Sequence, residues 1–167
     1  MRAFTARFIK GRARQLFFTC DIENTASTAG FIKNPNNYKC LWDTGATSTA
    51  ISINLAQKLK LLPVGKINIT HGGGSHLANK YLVNVHLPNG VCVKDVVVME
   101  LPLNDFDVII GMDIITLGDF SITNVNGNTV FSFRIPSTKE IDYVAETNAS
   151  KSVKKPNSNW RKKGKRS

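Results

Sequence analysis

Short stretches in which apolar and polar residues alternate recur along this chain, and turns rich in Asn, Gly and Ser separate them. Residues 2–9 alternate loosely and predict a first strand; residues 15–22 are β-prone and predict a second. Residues 24–37 are crowded with Asn, Thr, Ser and Gly and read as a loop. Residues 38–42 form a short strand pattern running into Asp43. Extended character resumes at Ala50 and Ile51. Ser52 then has the side chain of an N-cap for a helix over 53–61, with Leu55, Leu59 and Leu62 as its apolar face. Pro63 and Gly65 close that helix.

Residues 66–70 predict a strand, and 80–87 another, in which Val83, Val85 and Leu87 alternate with polar positions. Between them His71-Gly72-Gly73-Gly74-Ser75-His76 reads as a mobile turn. Asn89-Gly90 is a hairpin signal, since both central positions of a type I′ turn need positive φ. Residues 91–99 are the returning strand. Residues 106–111 form a short continuous apolar strand, and 112–117 one or two helical turns ending at Gly118. A last hairpin pairs 120–125 with 129–135 around Asn126-Gly127. The predicted fold is mainly β, with one or two short helices.

Beyond Pro136 the apolar periodicity ends. Three segments follow from this: a basic N-terminal extension or first strand at 1–14, a domain at 15–136, and a flexible basic tail at 137–167. The net charge of +10 comes from the ends. Residues 1–14 hold five of the 22 Lys and Arg, and 151–167 hold eight, with no carboxylate in either segment. The middle keeps nine cations against all 12 acids, so chemistry there proceeds in near-neutral surroundings.

The three cysteines, Cys20, Cys40 and Cys92, are odd in number and form no Cys-x-x-Cys pair. They indicate neither a disulfide framework nor a zinc site, and a reducing, cytoplasmic setting is expected. No signal peptide and no membrane-spanning run is read.

The chemistry concentrates at Leu41-Trp42-Asp43-Thr44-Gly45-Ala46-Thr47. A carboxylate stands at the end of an apolar strand, on a turn whose Gly permits close backbone approach. An ordinary strand-end turn with a solvated Asp would look the same, so the context decides. Three features supply it: the apolar residues before Asp43, a glycine-rich turn between strands, and Ile109-Ile110-Gly111, ending 68 residues after Asp43 and leading into a short helix.

In that order, over about residues 15–135, the set resembles the retropepsin family of single-lobe aspartic proteases. The resemblance implies a closed β-barrel that is active as a homodimer, because two carboxylates must share one proton and this chain has a single Asp-Thr-Gly. It implies Asp43 as the dyad member, Thr44 bonded across the dimer, Gly45 beside the substrate backbone and Ala46 on the wall. It also implies Gly72, Gly73 and Gly74 as a flap tip, and Ile109, Ile110 and Gly111 as support beneath the loop. The substrate is expected to be an extended polypeptide, with no cofactor and no metal. Retroviral members usually carry an acid where this chain has Thr47 and an Arg where it has Met112. That ion pair cannot form here, and the pattern looks closer to the bacterial and cellular branch.

Other features have plainer readings. His71, His76 and His86 lack zinc-like spacing. Asp107 and Asp113 flank Ile109-Ile110-Gly111, and either is a formal candidate for a second carboxylate within one chain. The preferred reading places Asp113 as a helix cap and Asp107 at a strand edge. The alternative function is a non-catalytic dimeric module of the same fold, its basic tail and Trp160 engaging nucleic acid or another anionic surface.

Overall fold

The computed structural model describes residues 1–25, 36–71 and 74–153. Ten strands and three short helices follow in order: β1 (Arg2–Phe8), β2 (Leu16–Asn24), β3 (Tyr38–Trp42), β4 (Ala50–Ser52), α1 (Ile53–Lys58), β5 (Gly65–His71), β6 (Gly74–Leu87), β7 (Val91–Leu101), β8 (Val108–Ile110), α2 (Met112–Ile115), β9 (Asp119–Thr123), β10 (Thr129–Ile135) and α3 (Tyr143–Val153).

Six strands close into a barrel in the order β2-β3-β8-β4-β7-β6, with β6 returning to β2. Strand β2 makes the closure by dividing its length. Leu16–Cys20 pair with β3, and Asp21–Asn24 pair with His86–Val83 of β6. Two pairings are parallel, β3 with β8 and β4 with β7. Strand β5 lies outside the ring, joined only to the first half of β6. The core is filled by the inward faces of these strands. Val83, Val85, Val91, Val98, Val108, Ile51 and Ile110 are fully buried, as the alternation requires.

Strands β1, β10 and β9 form a second, three-stranded antiparallel sheet. Its buried Phe131 and Phe133 rings pack on Trp42, with centroids 4.9 and 4.8 Å away, and Phe120 lies 5.9 Å from the same indole. Each such ring adds about 1.5–3 kcal/mol by leaving water. The strand leading into Asp43 is thereby held to the second sheet by aromatic packing.

The local signals act as their chemistry demands. The Ser52 hydroxyl accepts the Leu55 amide at 3.1 Å, which caps α1. Asn89 and Gly90 have φ of 56° and 69°, the left-handed values of a tight turn. Gly118 is required by crowding, since a Cβ there would lie 2.0 Å from the Arg134 carbonyl oxygen.

Three expectations are corrected. Helix α1 ends at Lys58 rather than residue 61, because Lys60 takes a positive φ of 50°. Leu62 therefore leaves the apolar face and is 78% exposed. The turn expected over 71–76 is narrower, because β5 runs to His71 and β6 starts at Gly74, paired with it. The region read as a flexible tail contains α3, whose first amides, Val144 and Ala145, donate to the Asp142 carboxylate at 2.8 and 3.0 Å. This helix is exposed along its described side chains, so it shows no apolar periodicity. Residues 154–167 lie outside the described residues.

The start of the C-terminal segment is also pinned. Asp119 accepts bonds from Arg134 Nε, Thr138 N and the Ser137 hydroxyl. These bonds, the Ser137 hydroxyl first, hold its carboxyl far below the usual carboxylate range. No helix among the described residues is long and apolar enough to cross a membrane.

Candidate active site

Asp43 leaves the barrel directly after the buried Trp42. Its amide donates to the Ile110 carbonyl at 3.0 Å, which continues the β3–β8 ladder by one bond. Its carbonyl accepts the Ala46 amide at 3.2 Å, closing the Asp-Thr-Gly-Ala turn. The Gly45 amide donates to Asp43 Oδ1 at 2.8 Å. One carboxylate oxygen is thus fixed by the backbone of its own loop. A Cβ at Gly45 would sit 3.2 Å from that oxygen, tighter than an ordinary contact.

Strand β8 lies between the two flanks of this loop, with β3 on one side and β4 on the other. Ile109 opposes Leu41 and Ala50, and Ile110 opposes Trp42. Gly111 follows, where a Cβ would come within 2.4 Å of the Ser48 carbonyl carbon. Only a glycine lets the loop cross so closely. The Met112 amide then donates to the Ala46 carbonyl at 2.8 Å. Ile109, Ile110 and Gly111 are therefore brought together with Asp43, Thr44, Gly45 and Ala46 into one layered turn.

Sequence reasoning missed a further bond set in this layer. Asp113 accepts the Thr49 amide at 2.9 Å and the Thr49 hydroxyl at 2.7 Å. The same hydroxyl accepts the Gly111 amide at 3.1 Å. Thr49 is fully buried while Asp113 is exposed, so a surface carboxylate satisfies the buried amide and hydroxyl of Thr49. These bonds tie the end of the Asp43 loop to α2, where Thr47 and Met112 make no ion pair. Asp113 is not the cap of α2; Gly111 holds that place, and Asp113 also accepts the Ile114 amide at 2.9 Å.

Asp107 is engaged as well. Its Oδ2 accepts the Lys39 amide at 2.8 Å, and its own amide and carbonyl bond to Lys39 and Ser52. Neither carboxylate bonds to Asp43 among the described residues. Gly74 heads β6 opposite His71, while Gly72 and Gly73 lie outside the described residues. At the root of the same hairpin, Glu100 accepts the Asn79 amide, the Asn79 side chain and the Tyr81 hydroxyl, at 3.1, 2.7 and 2.6 Å. Among the described residues no group of three or more His, Cys, Asp or Glu side chains is placed to hold a metal ion.

Solved structures that resemble this chain include the following two. One is a retropepsin-like aspartic protease from Rickettsia conorii, at 16% identity and a TM-score of 0.48, covering 78% of this chain and 91% of that one. The other is the retroviral protease-like domain of Ddi1 from Leishmania major, at 18% identity and a TM-score of 0.42, covering 78% and 99%. No curated protein sequence matches. Residues 30–116, more than half of the chain and spanning the Asp43 loop through α2, match the family described as "gag-polyprotein putative aspartyl protease". With its closed six-stranded barrel and its Asp-Thr-Gly turn seated on Ile110 and Gly111, this chain belongs to that retropepsin-like aspartyl protease family.

Proposed function

We propose that the chain is an aspartic endopeptidase that works as a homodimer, each copy supplying one Asp43. The observation that carries this reading is the held carboxylate: Oδ1 of Asp43 is fixed by the Gly45 amide on a turn braced by Ile110 and Gly111. Asp107 and Asp113 are committed to backbone and Thr49, which leaves Asp43 to find its counterpart in a second chain. Two carboxylates at close range keep one proton between them. The ionised one takes a proton from water as that water attacks the peptide carbonyl, and the protonated one gives its proton to the carbonyl oxygen.

The remaining roles follow. Thr44 is exposed and makes no hydrogen bond among the described residues, so its hydroxyl is free to bond across the two-fold axis. Gly45 leaves room for the substrate backbone, and Ala46 lines the wall. The β5–β6 hairpin with Gly72, Gly73 and Gly74 covers an extended substrate, which bonds to it as an added strand. No cofactor takes part. The catalytic domain spans residues 15–136 together with β1, and the cytoplasm keeps the three cysteines reduced.

The test is the purified Asp43→Asn protein. It should fold and dimerise normally and lose cleavage of a peptide mixture, while the wild type loses specific activity on dilution as the dimer dissociates. Undiminished cleavage by Asp43→Asn would sink the proposal.

A further inference from the structure

Between β1 and β2 the chain makes a seven-residue connection, 9–15, beside an open groove of about 1090 Å³. The connection is fixed at two points: the Gly11 amide donates to Asn128 Oδ1 at 3.2 Å, and the Ala13 amide to the Thr129 hydroxyl at 2.9 Å. Its position relative to Asp43 follows from register. Leu16 pairs with Trp42, so Gln15 stands immediately before that pair as Asp43 stands immediately after it. Adjacent strands are about 4.8 Å apart; the connection therefore leaves the barrel about one strand spacing from the catalytic turn.

The charge of the groove is one-sided. Arg7, Lys10, Arg12 and Arg14 line it, and all four are exposed. Neither ion pair found among the described residues, His86–Glu23 or Arg134–Asp119, involves them. Phe17 lines the groove as well, and Lys39 Nζ lies between its ring and that of Phe106, 5.8 and 4.6 Å from the two centroids. Phe17 is 46% exposed and stacks edge-on with Phe8. A cationic rim over an apolar floor matches a chain that alternates acidic and apolar side chains.

We propose that this groove extends the substrate cleft and selects peptides with Asp or Glu a few residues from the scissile bond. In a two-fold dimer each protomer supplies one such groove, so the preference holds on both sides of the bond. The proposal rests on the proteolytic reading for its place in the reaction, and on the groove alone for its binding chemistry. Acidic peptide is favoured over single-stranded nucleic acid because Gln15, at one end of the groove, stands next to the catalytic turn by register, where a peptide must pass.

Two readouts test it on the full chain. Matched peptides carrying Glu or Gln at the flanking positions are compared for kcat/KM with the wild type, and for binding to the Asp43→Asn protein by fluorescence anisotropy. The Glu peptide should be favoured about fivefold in both, given the modest strength of surface ion pairs. The preference should shrink in high salt, and it should fall at least twofold in Arg12→Gln/Arg14→Gln but persist unchanged in Lys151→Gln. Equal treatment of Glu and Gln peptides, or a preference undiminished by the double substitution, overturns the proposal. So does an oligothymidylate that binds through Arg12 and Arg14 while the two peptides bind alike. Binding preference without any cleavage leaves the groove's selectivity standing and overturns the proteolytic reading instead.

Discussion

Thr49 and Asp113, 64 residues apart in the chain, are joined twice, through the Thr49 amide at 2.9 Å and its hydroxyl at 2.7 Å. The pair closes the Asp43 loop onto α2. Removing the carboxylate leaves a buried amide and a buried hydroxyl without their acceptor, each costing about 1–3 kcal/mol. Asp113→Ala should therefore destabilise the fold by about 2–6 kcal/mol in urea unfolding and lower kcat through a loosened loop. Asp113→Asn, which keeps one acceptor oxygen, should recover part of both losses. A fully active, fully stable Asp113→Ala protein would show that the loop is held elsewhere.

Gly111 is set by distance rather than by φ. Its φ of −97° suits any residue, but a Cβ would meet Ser48 backbone at 2.4 Å. Backbone cannot yield as a flexible side chain can, so Gly111→Ala forces β8 and the loop apart. The expected cost is about 3 kcal/mol or more, at the upper end of overpacking effects. Thermal unfolding measures it, and a melting temperature within a degree or two of wild type would contradict the close crossing.

Glu23 on β2 accepts hydrogen bonds from Asn84 and His86 of β6, both at 3.0 Å. These bonds, Asn84's first, lower its pKa below the ordinary 4.5. The ionised form is thus favoured in the folded chain more than in the unfolded one. Its stabilising contribution is complete above the ordinary value and is lost as pH falls through it toward the lower, folded value. Urea midpoints at pH 7 and pH 3 should show a smaller acid-induced drop in Glu23→Gln than in wild type. Equal drops would mean that the seam between β2 and β6 does not depend on this charge.

Much of this architecture is written locally. Ser52 announces α1, Asn89-Gly90 announces a tight turn, and Asp43-Thr44-Gly45 with Ile109-Ile110-Gly111 marks the two crossing segments. What escaped the sequence is long-range or self-contained. The Thr49–Asp113 pairing has no local pattern, because a Thr and an Asp at that separation look like any two polar residues. The division of β2 between β3 and β6 is equally silent, since period-2 alternation says which face is buried but not which neighbour is paired. Helix α3 escaped because its described side chains bury no face, and periodicity reports burial rather than helicity. The Lys60 turn ended α1 early without a glycine to mark it.

Strand β6 has a mechanical consequence. From Lys80 onward it is gripped by β7, and by β2 over Val83–His86; before Lys80 only β5 accompanies it. It is a cantilever, with an arm of residues 74–79, about 20 Å long, paired with β5, and a root bolted by Glu100 to Asn79 and Tyr81. A beam built this way bends at its support more readily than it slides, because sliding would break the whole ladder at once. The stiffness of this hairpin is therefore set near residue 80, at the Asn79–Glu100–Tyr81 cluster.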